Sequence, residues 1–141
     1  MITRSTPEID YLPPEACMQL GFSGMVGADG FLHISGVAPI HGPDFAIVGK
    51  GDLKAQCKYV LDVLGRTLKA GGSSPEALID IVVLLTDFNG TGEIGSKYVE
   101  IAPLLAAFSG EHRPASTAVG VSCLFKPEQM IELRAVARIL G

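Results

Sequence analysis

The chain has no tryptophan, and aromatic residues fill only 6% of its 141 positions. It has three cysteines, Cys17, Cys57 and Cys123, odd in number and far apart. They suggest neither a disulfide framework nor a zinc-ligand spacing, and read as reduced thiols. Charged residues amount to 18%, with 11 Lys and Arg against 15 Asp and Glu, a formal net charge of −4. The isoelectric point lies near 5.3, and the basic residues are scattered singly. A duplex-binding protein needs a basic stripe, and RNA binding needs basic surface interleaved with aromatics, so nucleic acid is disfavoured as a partner. No apolar run approaches the roughly 18 residues of a membrane span. The first residues, Met1 to Ser5, lack the apolar core of a signal peptide. A soluble, cytoplasmic protein is the expectation.

Against these shortages stands a hydrophobic fraction of 48% and a mean hydropathy of +0.36. Disordered chains are poor in apolar residues, so this chain folds. Its length predicts one domain over residues 1–141 that buries a core without disulfide or metal staples. With so little charge, part of the apolar surplus is expected at a subunit interface.

Prolines at 7, 13 and 14 make residues 1–16 read as an irregular lead-in. Residues 17–28 read as a strand, and Asp29-Gly30 as a type I′ hairpin turn, because both positions tolerate positive φ. Phe31–Ser35 is the returning strand, and 45–48 a short third one. Leu53, Cys57, Val60, Leu61, Leu64 and Leu68 recur at the 3.6-residue period of one helix face. Asp52 precedes that helix and Gly71-Gly72 follows it. Ser74-Pro75-Glu76 starts a short turn. Ile79–Leu85 reads as a buried strand and 89–95 as a loop. Residues 96–108 form a second helix with Pro103 inside it. Strands over 116–124 and 130–140 close the chain around a turn at Lys126-Pro127-Glu128. Two helices on one face of a mixed sheet predict an α+β fold whose other sheet face is covered by oligomerisation.

Motifs for phosphate binding, metalloprotease chemistry and serine hydrolysis are missing. Gly90-Thr91-Gly92 lacks the third glycine and the helix of a dinucleotide fingerprint. Glu132 is the informative residue. Within Met130-Ile131-Glu132-Leu133-Arg134, alternation puts Glu132 and Arg134 on one face and Ile131 and Leu133 on the other. A carboxylate in so apolar a strand can act as a general acid or base, or it pairs with Arg134 or with solvent. Ser35 shares a strand face with His33 and sits where the strand ends, a place for a ligand contact or a simple turn serine. Arg113 lies in a loop before Pro114; its planar fork suits a carboxylate, or is merely solvated. Cys123 reads as a small core residue.

Several segments together resemble the Rid family (RidA/YjgF/UK114, once labelled L-PSP endoribonucleases). They are Phe31-Leu32-His33-Ile34-Ser35-Gly36, the helix after Asp52, Asp80–Asp87, Arg113-Pro114-Ala115-Ser116-Thr117 and Met130–Ala137. The resemblance spans about residues 17–139. It implies a chorismate-mutase-like α+β fold and a homotrimer with clefts between subunits. It also implies hydrolysis of enamines and imines such as 2-aminoacrylate to ketoacids and ammonia, with no metal or organic cofactor. A glutamate-held water attacks the imine carbon while an arginine holds the substrate carboxylate. By that resemblance Glu132 is the water-activating glutamate and Ser35 the substrate-binding serine. Phe22 stands at the family's tyrosine position, Gly95 at its asparagine and Ala118 at its small thiol. Ser116 stands where active members carry the arginine, marking an arginine-lacking subgroup. Serine cannot replace a bidentate clamp, so Arg113 or Arg134 is the candidate replacement. Two functions follow: a Rid-like hydrolase or deaminase of a small imine, enamine or related metabolite, or a non-catalytic trimer that binds a metabolite or a protein.

Overall fold

A computed structural model describes residues 1–141. Strand β1 (Ile2–Ser5) and helix α1 (Pro14–Gln19) precede the hairpin of β2 (Met25–Ala28) and β3 (Phe31–Val37). A small ribbon of β4 (Ile40–His41) and β5 (Ala46–Ile47) leads to α2 (Leu53–Ala70). Then come a turn of 3-10 helix (Pro75–Ala77), β6 (Leu78–Thr86), α3 (Ile94–Ser109), β7 (Ala115–Val121) and β8 (Ile131–Arg138). Six strands form one mixed sheet in the order β1-β2-β3-β8-β6-β7. Only β6 and β7 run parallel, joined by the α3 crossover. No helix is long and apolar enough to cross a membrane.

Helix α2 is the best-signalled element and carries the core. All six residues of its predicted stripe are buried. Asp52 caps it, accepting from the Ala55 N–H at 3.0 Å. At the other end Ser73 N donates to Leu68 O and Gly72 N to Lys69 O, with Gly72 at φ +77°. That is a Schellman closure, which needs a left-handed residue after the helix. Asp29 and Gly30 have φ of 52° and 84°, as a type I′ turn requires.

The core lies between the sheet and helices α2 and α3. Leu32, Ile34, Val83, Leu85, Ile131 and Leu133 point into it. Side chains alternate, so Glu132, Arg134 and Val136 of β8 and Val82 and Leu84 of β6 point to the opposite face, which no helix covers. Edge strand β7 is exposed along almost its whole length despite its small and apolar side chains.

The structure departs from the sequence reading mainly near the N-terminus. Residues 1–16 are not simply irregular: Ile2–Ser5 pair antiparallel with β2, and Pro14–Gln19 form a third helix. Proline at its first position explains why that short helix tolerates Pro14. The expected strand over 17–28 shrinks to Met25–Ala28, because Cys17 belongs to α1. Helix α1 packs its Cys17 with Leu12, Ala38 and Ile40 in a separate small cluster. The strand expected over 45–48 is Ala46–Ile47, and it pairs with β4 outside the main sheet. Strand β7 stops at Val121, leaving Cys123 exposed rather than in the core.

Gly71 is required by packing, since its φ of −87° suits any residue. A Cβ there would land on Leu32 Cδ2 and within 3.0 Å of Met25 Sδ, both core side chains. Gly71→Ala should therefore destabilise the fold by about 1–3 kcal/mol. Denaturant unfolding checks this, and an unchanged midpoint would contradict the packing described.

Candidate functional site

Strands β3 and β8 hold regular register at Ile34 with Ala135 and again at Val37 with Leu133. Three steps on β3 therefore span two on β8, and Ser35 and Gly36 together face Arg134. Such a bulge re-aims side chains locally. It also brings the β3 backbone against Glu132. A Cβ on Gly36 would land on the Glu132 carboxyl group, so glycine is what lets the carboxylate lie across the bulge.

Two buried amides hold that carboxylate. Gln129 Nε2 donates to Glu132 Oε1 at 3.0 Å and to Ile131 O at 3.2 Å. Gln129 Oε1 accepts from Lys126 N at 3.3 Å. Behind it, Gln56 of α2 donates to Glu128 O at 3.1 Å and Gly49 O at 3.2 Å, and accepts from Met130 N at 2.8 Å. Both amides are fully buried, and burying an amide is costly unless it is hydrogen-bonded. Here each bonds through both ends. The core helix thus fixes the turn over 128–130, and the turn fixes one oxygen of Glu132. The other oxygen faces Gly36.

Glu132 lines a pocket of about 360 Å³ with Ser35, Gly36, Phe22 and Arg134. Arg134 is exposed and forms no ion pair with Glu132; the ion pairs of the chain lie elsewhere. The salt bridge between them considered from sequence is not formed. Ser35 lies within β3 rather than at its end, and its hydroxyl donates to Ser23 O, leaving oxygen lone pairs to accept. The rest of the wall is largely apolar, with Leu12, Leu20, Ile40 and an edge-on pair of Phe45 and Phe125, ring centres 5.9 Å apart.

Tyr11 also lines this pocket. Its Oη accepts from Ala38 N at 2.9 Å. Burial pushes its phenol well above the usual tyrosine range, and the nearby Glu132 carboxylate adds to the shift. Neither Tyr11 nor Gln129 figured among the sequence candidates. Gln129 left a faint signal, a polar residue three positions before Glu132. Tyr11 left none, because the contact that places it spans 27 residues.

Arg113 and Ser116 are elsewhere. They line a second cavity of about 290 Å³ between α3 and the sheet, with Leu61, Ile81, Tyr98 and Phe108. Ser116 pairs with the core-facing Ile81, whereas Glu132 pairs with Leu84 on the uncovered face. The two residues therefore lie on opposite faces of the sheet, with β6 between their strands. Arg113 Nη1 donates to Gly110 O at 2.9 Å. Gly95, expected in a loop, is the second residue of α3. One chain thus gathers Phe22, Ser35, Glu132 and Arg134, and keeps Arg113, Ser116 and Gly95 away from them.

A six-stranded α+β domain with a carboxylate held in a pocket on its uncovered sheet face defines the class. The family model described as endoribonuclease L-PSP matches residues 15–139. A RutC family protein of Pyrococcus horikoshii is 35% identical over 116 residues, covering 82% of this chain and 85% of that protein. One from Pyrococcus abyssi is 31% identical over 116 residues, covering 82% and 84%. Among solved structures, yeast Mmf1 superposes with a TM-score of 0.80 at 22% identity, covering 99% of this chain and 100% of that one. RidA of the Antarctic bacterium Psychrobacter sp. PAMC 21119 gives 0.78 at 20% identity, covering 97% and 100%. The chain belongs to the endoribonuclease L-PSP family, the YjgF or Rid proteins that its sequence resembles.

The amide support of Glu132 is testable directly. Gln129→Ala leaves Lys126 N and Glu132 Oε1 without their partner and should cost about 1–3 kcal/mol of stability. A denaturation midpoint shows the loss; no loss would mean that Gln129 holds nothing.

Proposed function

We propose that the protein is a Rid-type hydrolase of small imines and enamines, working as a homotrimer. The observation that carries this reading is Glu132, held through one oxygen by a buried amide and facing a pocket that also contains Ser35 and an unpaired Arg134. In this reading a water rests on Glu132. Its oxygen bonds to the imine carbon as Glu132 takes one water proton, the C=N π pair moves to nitrogen, and Glu132 returns that proton to the nitrogen. Glu132 then takes the carbinolamine's hydroxyl proton and passes it to the nitrogen as the C–N bond breaks with its electron pair going to nitrogen, so that ammonia and a ketoacid leave. Ser35 binds the substrate, and Phe22 favours a less polar one than tyrosine would. No cofactor is required by this chemistry.

By the family pattern, Ser116 stands in place of the carboxylate-binding arginine. Arg134 is the replacement within the pocket, since it shares the Glu132 face and has no acidic partner. The separation of Arg113, Ser116 and Gly95 from Glu132 fits a cleft between subunits, where a neighbour supplies the second group. An apolar strip of Val82, Leu84, Val119 and Val136 on the uncovered face supports such an assembly. A second reading is favoured by Ser116 itself: without the usual clamp, the trimer would bind a metabolite or a protein and leave it unchanged.

The test is ammonia release from freshly generated 2-aminoacrylate, with the assembly measured by sedimentation. Wild type should release ammonia above the uncatalysed rate as a trimer, and Glu132→Ala should abolish release with the trimer intact. Equal rates in both would remove Glu132 from the chemistry. A ligand bound stoichiometrically and recovered unchanged would establish the binding reading.

A further inference from the structure

Tyr11 is held from three sides. Its carbonyl oxygen accepts from Gly42 N at 2.9 Å. Its ring packs against Tyr59 at a centroid distance of 6.4 Å. Its Oη accepts from Ala38 N at 2.9 Å. Tyr59 differs in one respect: its hydroxyl donates to Ile40 O at 2.8 Å and is thereby used up. The Tyr11 hydroxyl proton has no protein acceptor. Tyr11 and Glu132 line the same pocket of about 360 Å³ and share no hydrogen bond.

We propose that Tyr11 is a ligand-binding residue that donates its phenolic hydrogen bond to the nitrogen of a bound imine, or to the keto oxygen of the product. The inference rests on the hydrolase reading and assigns it the group that polarises the C=N bond opposite Glu132. The donor is preorganised, since Ala38 N fixes the oxygen and Tyr59 the ring, so little freedom is lost when it engages the ligand. Burial keeps the phenol protonated well above neutral pH, so it remains a donor there. Tyr11 transfers no proton in this role. The donation draws electron density toward nitrogen and makes the imine carbon more electrophilic as water attacks.

The test compares wild type and Tyr11→Phe on 2-aminoacrylate, and follows pyruvate binding by NMR of the labelled tyrosine rings. Tyr11→Phe should lower kcat at least tenfold with a smaller change in KM, and weaken pyruvate binding about tenfold. In wild type the Tyr11 ring signal should shift saturably with pyruvate. Full activity in Tyr11→Phe would overturn the role of Tyr11 while leaving the hydrolase reading intact. A wild type that releases no ammonia, but binds pyruvate through a Tyr11-dependent shift, would sink the hydrolase and keep the donor. If neither turnover nor shift occurs, both fail.

Discussion

Strand β8 lies between β3 and β6, and its two-residue period divides the molecule. Ile131, Leu133, Ala135 and Ala137 are buried against the helices, while Glu132 and Arg134 face the other way. A slip of one residue would drive both charges into the core, so burial of the four apolar residues fixes the register firmly. The candidate site inherits its geometry from that register. Glu132 meets Gly36 only because β3 carries its bulge opposite Arg134. The hydrophobic effect thus positions the carboxylate, although the carboxylate contributes nothing to the core.

Fine adjustment comes from polar groups inside that apolar frame. Gln56 projects from the core helix α2 and is satisfied by backbone from the loop just before that helix and from the distant turn over 128–130. Gln129 extends the support to Glu132. A half-satisfied pair of buried amides would cost more than an apolar replacement; fully bonded, the pair orients an acid while leaving one of its oxygens toward the pocket. The pocket thus joins a rigid carboxylate to an apolar wall, and its free cation, Arg134, stands on the same strand as the acid. The second cavity, with Arg113 and Ser116, lies across the sheet. A single chain therefore holds Glu132 and Arg134 in one cavity and Arg113 and Ser116 in another.

Much of the fold was legible where one period dominated. Helix α2 carried both a 3.6-residue stripe and caps at each end; Asp29-Gly30 carried its turn chemistry; β6 and β8 carried apolar runs. Strand β1 was hidden because Ile2–Ser5 have no buried face to pattern them. Helix α1 was hidden because it has six residues and begins with prolines. Cys123 misled because its apolar neighbours lie beyond the end of β7. At the site, alternation alone placed Glu132 with Arg134, the expected strand end singled out Ser35, and the family resemblance added Phe22. The supports were out of reach: Gln56 bonds to residues 72 and 74 positions away, and Tyr11 enters the pocket only after the chain has folded. No local pattern encodes such contacts.

The central claim is that the Glu132 pocket receives a small keto or imino acid in a cleft completed by another subunit. A crystal structure of the protein grown with excess pyruvate tests it most directly. The account predicts a trimer with pyruvate beside Glu132 and Ser35, its carboxylate on Arg134, and residues of a neighbouring copy closing the cleft. A pocket filled by the neighbour's own side chains, or pyruvate bound only away from Glu132, would contradict it.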